Sequence, residues 1–136
     1  MSKRSFHSIA KGTKLYHGTS KTNIESIRKN GLQPTTDTSA SYGLGIYLTD
    51  NPKIAQDYAD DLKNGIVLNI KVMQDLTLYT PTQEEILTLV DLYKQEQMNY
   101  VRKLLSDKCD GFKIFERAAD GNEIVLFDNK KINISK

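Results

Sequence analysis

The chain has 136 residues, of which 38% are hydrophobic and 26% charged, with a net charge of +2. This is the size and make-up of one globular domain around one core, which excludes a disordered or low-complexity polypeptide. No run approaches the ~18 apolar residues that a membrane-spanning helix needs, and so small a charge does not by itself indicate nucleic acid.

Residues 1–12 read as an N-terminal tail and residues 13–136 as one domain, because no repeat, low-complexity tract or Pro/Gly/Ser-rich linker interrupts the chain. The tail carries Lys3 and Arg4, but no apolar segment follows them. No secretory signal is read there, and a cytoplasmic address is the expectation. Lys14-Leu15-Tyr16-His17 is a short β-prone run, closed by Gly18-Thr19-Ser20 as a turn. A helix follows, with Ile24, Ile27 and Arg28 at i, i+3, i+4 spacing and Gly31 just past its end. Leu32 to Leu44 is rich in Thr, Ser and Gly and reads as a loop.

Ile46-Tyr47-Leu48-Thr49 is a strand, and Asn51-Pro52 opens a helix, with asparagine as cap and proline at the first helical position. Ile54, Ala55, Tyr58, Ala59 and Leu62 form its apolar stripe, ended by Gly65. Ile66, Leu68, Ile70 and Val72 then alternate with their neighbours, as in a half-buried strand. Thr82 and Glu85 make a capping box ahead of two amphipathic helices. The first carries Ile86, Leu89, Val90 and Tyr93; the second carries Met98, Val101, Leu104 and Leu105.

Cys109, the single cysteine, cannot form an internal disulfide, and the acids around it raise its pKa, so it reads as an incidental thiol. No Cys/His grouping has metal-ligand spacing, and no metal is expected. Asp110-Gly111 turns the chain into the strand Phe112-Lys113-Ile114-Phe115. A loop, Glu116 to Asn122, leads to the strand Glu123-Ile124-Val125-Leu126-Phe127, and Asn129-Lys130 turns into a last strand, Ile132 to Ile134. Strands and helices mix without regular βαβ alternation, so the fold class is α+β with a largely antiparallel sheet. The lysines near both ends serve solubility or attract an anionic partner.

Three short motifs stand out, and each has an ordinary structural explanation. His17-Gly18-Thr19 ends a strand, where a glycine lets a ligand approach the backbone, although a plain turn explains it as well. Gly43-Leu44-Gly45-Ile46-Tyr47 feeds a strand rather than following one and lacks a third glycine, so a dinucleotide fingerprint is excluded. Tyr47 and Tyr58 could each be half-buried core. Glu123 opens an otherwise apolar strand behind Ala118-Ala119-Asp120-Gly121-Asn122, where an exposed strand-end acid is the simplest account.

Order and spacing give these motifs more weight together. Leu15-Tyr16-His17-Gly18-Thr19, Asn30-Gly31-Leu32, Tyr42-Gly43-Leu44-Gly45-Ile46-Tyr47-Leu48-Thr49, Ala55-Gln56-Asp57-Tyr58-Ala59 and Asn122-Glu123-Ile124-Val125-Leu126-Phe127-Asp128 follow one another along residues 13–134. This run resembles the catalytic domain of the diphtheria-toxin-like ADP-ribosyltransferases, in the His–Tyr–Glu class that includes the poly(ADP-ribose) polymerases. The resemblance implies a split pair of small sheets around an NAD⁺ cleft, with NAD⁺ as co-substrate. It implies His17, Tyr47 and Glu123 as catalytic residues and His17, Gly18, Thr19, Tyr47 and Tyr58 as NAD⁺-binding residues. In that assignment His17 bonds a ribose hydroxyl, Gly18 clasps the nicotinamide amide, the two tyrosines bracket the ring, and the loop before Glu123 faces the acceptor. Two positions depart from relatives. Ala55 stands where polymerases often carry a hydroxyl, and Gly121 stands where the arginine-modifying branch carries an acid or glutamine.

The chemistry is consistent with one acid. Cleaving nicotinamide from ribose expels a neutral base, so only the developing oxocarbenium ion needs help, unlike glycoside hydrolysis with its second, protonating acid. The expectation is mono-ADP-ribosyl transfer to a macromolecule, a protein ahead of a nucleic acid, because so short a chain leaves little room for polymer contacts. NAD⁺ glycohydrolysis and a silent NAD⁺ or ADP-ribose binding module are the alternatives. RNA 2′-phosphotransfer ranks last, since Arg4, Arg28, Arg102 and Arg117 form no pattern.

Overall fold

A computed structural model describes residues 5–34, 45–80, 108–116 and 121–134. The two helices expected after Thr82, residues 35–44 of the polar loop, and residues 117–120 lie outside the described residues.

Eight strands and two short helices make up the described part: β1 (Ser5–Ile9), β2 (Lys14–Ser20), α1 (Ile24–Asn30), β3 (Ile46–Thr49), α2 (Pro52–Asp60), β4 (Gly65–Val72), β5 (Leu76–Thr80), β6 (Gly111–Glu116), β7 (Gly121–Leu126) and β8 (Ile132–Ile134). The strands form one sheet in the order β1-β5-β6-β7-β3-β2-β4-β8. All its pairings are antiparallel except the parallel one between β5 and β6. The α+β class and the largely antiparallel sheet expected from the sequence are therefore found.

The pairings differ greatly in extent. β2 pairs with β4 from Lys14↔Lys71 to Ser20↔Gly65, and β6 with β7 from Gly111↔Leu126 to Glu116↔Gly121. Between β2 and β3 there is one pair, Tyr16↔Thr49. The sheet is thus drawn apart at this seam into a five-stranded and a three-stranded part that stay joined at a point. This takes the place of the two separate sheets implied by the resemblance.

The core explains the apolar run in β7. Ile124 and Leu126 face one cluster, with Leu15, Ile46, Leu48, Ile70 and Leu78, while Val125 faces a second, with Tyr79, Phe112 and Ile114. A strand covered on both faces carries continuous rather than alternating apolar residues. Asn51 caps α2 through the Lys53 amide, and Gly31 ends α1 at φ 75°, as the sequence led one to expect.

Several expectations need correction. Ser5–Ile9, read as part of a tail, is a strand paired along its length with β5. Gly18-Thr19-Ser20 is not a turn, because the ladder with β4 runs on to Ser20. Glu116, Gly121 and Asn122, read as loop, belong to the β6–β7 ladder. α2 ends at Asp60, and Asn64, at φ 55°, makes the turn ahead of Gly65. Strand β5 went unread, although Leu76, Leu78 and Tyr79 are all buried.

Asp110 fastens the short parallel pairing. Its Oδ2 accepts the Thr77 amide at 2.8 Å, and its Oδ1 lies 3.1 Å from the Lys131 ammonium. Hydrogen bonds to charged groups contribute about 1.5–3 kcal/mol. Asp110→Ala is expected to lower unfolding free energy by about that much in urea titration; a loss under ~0.5 kcal/mol would show the β5–β6 pairing to be self-sufficient.

Candidate functional site

Where the sheet parts, the seam and α2 enclose a cleft of about 750 Å³. Small-molecule sites commonly occupy ~300–1,000 Å³. His17, Gly18 and Thr19 of β2, Tyr47 and Thr49 of β3, Ala55 and Tyr58 of α2, and Glu123 of β7 all line it. Every site residue expected from the sequence therefore reaches one cleft. Glu123 arrives from far along the chain because β7 pairs with β3, setting Glu123 opposite Thr49.

His17 bridges the seam next to the single backbone pair. Its Nδ1 donates to the Tyr47 carbonyl at 2.7 Å. A carbonyl can only accept, so the proton of the neutral ring sits on Nδ1 and Nε2 is left with a free lone pair. Burial lowers the pKa below the ordinary 6.5, and the bond to Tyr47 offsets only part of this. At neutral pH His17 therefore offers an uncharged acceptor.

The tyrosines differ. Tyr47 packs against the second core cluster while also lining the cleft. Tyr58 is 59% exposed, which corrects its reading as apolar stripe or half-buried core. Ala55 and Ala59 are the residues with which α2 enters the core. The close packing of α2 on β2 depends on Gly18: a Cβ built there would lie 2.6 Å from the Ala55 carbonyl oxygen and 3.0 Å from Tyr58 Cδ1. Any side chain at Gly18 would displace the helix and the Tyr58 ring together. Thr19 is buried, and its Oγ1 accepts from Asn23 Nδ2 at 3.2 Å.

Other lining residues were not read from the sequence: Ser20, Asn23, Ser26, Gln33 and Thr49 give the cleft a polar, uncharged side. Among the described lining residues only Glu123 is acidic, and none is Lys or Arg. Asn122 stands in the last motif, but the sequence does not show its link to Asp50, which joins β3 to β7 directly before Glu123. No spacing rule links positions so far apart. Cys109 is buried in the second cluster, away from the cleft lining, and burial chiefly pushes its thiol pKa up, as befits an inert thiol. The described residues hold no group of three or more His, Cys, Asp or Glu that could bind a metal. None of the described helices is long and apolar enough to cross a membrane.

The cleft at the parted sheet thus brings together an imidazole held neutral by burial, two phenol rings and one carboxylate. The family model of the poly(ADP-ribose) polymerase catalytic domain matches residues 3–82, more than half of the chain. The chain belongs to this family of NAD-dependent ADP-ribosyltransferases. No match was found among curated proteins. The matched stretch contains His17, Gly18, Thr19, Tyr47 and Tyr58 and stops short of Glu123, which only the β3–β7 pairing brings to the others.

The lowered pKa of His17 has a signed consequence. The unfolded chain takes up this proton near pH 6.5 while the folded one does not. Stability linked to His17 is therefore complete above pH 6.5 and falls as acidification proceeds toward the lower folded pKa. The His17 ring followed by NMR is expected to titrate below 6.5 and to keep its Nδ1–H tautomer above it; a midpoint at or above 6.5 would contradict this environment.

Proposed function

We propose that the chain cleaves the nicotinamide–ribose bond of NAD⁺ and transfers single ADP-ribose units to a macromolecular acceptor, a protein ahead of a nucleic acid, in the cytoplasm. The observation that carries this reading is the meeting of Glu123 with His17, Gly18, Tyr47 and Tyr58 on one cleft, although Glu123 lies outside the matched residues.

Each group has a task set by its chemistry. The free Nε2 of neutral His17 accepts a hydrogen bond from a ribose hydroxyl, and its Nδ1–H bond to Tyr47 keeps the ring oriented. The main chain at Gly18, which lines the cleft beside Tyr58, takes the nicotinamide amide. Thr19 lines the same side, and the rings of Tyr47 and Tyr58 bracket the pyridinium face. The half-buried Glu123 carboxylate stands by the ribose and stabilises positive charge as it develops. The bond from C1′ to the ring nitrogen breaks, and its electron pair neutralises the departing nicotinamide. A lone pair of the acceptor forms the new bond to C1′, and the acceptor's proton passes to Glu123. A preorganised group aimed at developing charge contributes about 10²–10³ in rate.

Water is the competing acceptor. The exposure of Tyr58 on the cleft favours this second reading, NAD⁺ glycohydrolysis, because solvent can reach the same carbon. The described lining carries no Lys or Arg, which disfavours RNA 2′-phosphotransfer with its need for basic groups.

Labelled NAD⁺ incubated with and without cell lysate separates these outcomes. Label entering protein supports transfer, while fast nicotinamide release without lysate supports hydrolysis. Binding with neither leaves a silent module. Glu123→Gln keeps the shape and removes the charge, so turnover is expected to fall about 10²-fold or more with little change in NAD⁺ affinity. Turnover within threefold of wild type would take Glu123 out of the catalytic role.

Tyr58→Ala removes ring contacts worth about 0.5–1.5 kcal/mol beyond the area they bury. Calorimetry is expected to show nicotinamide and NAD⁺ both bound more weakly, with ADP-ribose nearly unchanged because it lacks the pyridinium ring. Equal losses for NAD⁺ and ADP-ribose would make Tyr58 a structural residue instead.

A further inference from the structure

We propose that Asp50 is a positioning residue for Glu123, acting through Asn122; the inference rests on the catalytic reading of Glu123 given above. Glu123 is the third residue of β7, close to the strand's first residue, Gly121. Strand beginnings fray unless something holds them. A catalytic carboxylate nevertheless has to stay within about 0.5 Å of its working position.

Beside the ladders with β3 and β6, a set of side-chain bonds converges on Asn122. Its amide N donates to Asp50 Oδ1 at 2.9 Å and its side-chain Nδ2 donates to Asp50 Oδ2 at 2.7 Å, so the Asp50 carboxylate grips it with both oxygens. The Asn122 carbonyl accepts from Thr49 Oγ1 at 2.9 Å and from the Asp50 amide at 3.4 Å. Main chain and side chain of the residue before Glu123 are therefore both tied to the end of β3. The two sides of the peptide leading into Glu123 have little freedom left.

The same knot starts α2. Thr49 Oγ1 accepts the Asn51 amide at 3.1 Å, and Asn51 Oδ1 caps the helix by accepting the Lys53 amide at 2.9 Å. Gly121 rests on this turn, since a Cβ built there would lie 2.8 Å from both Asn51 Cβ and Ile54 Cδ1. The turn after β3 thereby fixes both the approach to Glu123 and the helix that carries Tyr58. Asp50 itself is exposed and absent from the cleft lining, so it acts through Asn122 and not on the substrate.

Exchanging the two side chains tests this. Asn122→Asp alone sets two carboxylates against each other and breaks the grip. Asp50→Asn combined with Asn122→Asp restores it: the backbone amide of residue 122 still meets a side-chain oxygen, and the amide at 50 donates to the carboxylate at 122. Displacements of about 1 Å cost about 10²-fold in rate. For nicotinamide release from NAD⁺, Asn122→Asp is expected to lower kcat about 10–100-fold with KM changed less than about threefold, and the double exchange to recover about tenfold or more.

Asp50→Ala provides a second, uncharged break and is expected to lower kcat in the same way. Full kcat in both single variants, a change confined to KM, or a double exchange no better than Asn122→Asp overturns the proposal. A wild-type protein that releases no nicotinamide, with or without lysate, overturns the catalytic reading of Glu123 and the clamp with it. An active wild type with indifferent variants overturns the clamp alone.

Discussion

The structure depends on how little of β2 and β3 is allowed to pair. A full antiparallel ladder here would close the sheet and leave no room for a ligand. One backbone pair, Tyr16↔Thr49, keeps the two parts joined, and the side chain of His17 takes over beside it by donating to the Tyr47 carbonyl. A buried carbonyl left without a partner costs about 1–3 kcal/mol. The imidazole supplies a donor to the Tyr47 carbonyl across the seam, and His17 itself lines the cleft. Cohesion across the seam therefore rests on this bond, on the one backbone pair and on the core cluster that both parts share.

Around this seam the groups are divided by chemistry. The imidazole is neutral because it is partly withdrawn from water, and the side of the cleft formed by Ser20, Asn23, Ser26 and Gln33 is polar without being charged. Glu123 is then the acid among the described lining residues. A charge already held in place stabilises developing positive charge without first having to reorganise. The match to the poly(ADP-ribose) polymerase family spans the elements that carry His17, Tyr47 and Tyr58, and strand pairing brings the carboxylate to them.

Legibility from the sequence followed the range of the interactions. The ends of β3 at Ile46 and Thr49 and the start of α2 at Pro52 are legible, because a short β-prone run, an asparagine cap and a first-position proline are local signals. β8 was legible for the same reason, set off by Asn129-Lys130. Gly18-Thr19-Ser20 misled because glycine and serine favour turns, yet here the ladder with β4 overrides that preference and glycine is needed to admit α2. Ser5–Ile9 carries too few apolar residues to show as a strand alone; its partner β5 supplies the other side. The site residues are legible through motif order, whereas the bonds between Asp50 and Asn122 are not, since a carboxylate clamp between distant strands leaves no periodic trace.

β7 has a further meaning for the working life of the protein. It is covered on both faces, by Ile124 and Leu126 toward one cluster and Val125 toward the other, and it pairs with β3 and β6 on its two sides. The carboxylate is therefore mounted directly before residues 124–126, a stretch that is released only when both clusters open. Gradual wear at the periphery leaves such a centre intact, so inactivation by heat or denaturant comes as one abrupt event that coincides with global unfolding. For the same reason, a change of side chain at Ile124, Val125 or Leu126 disturbs the interior, whereas one at the exposed rim of the cleft does not.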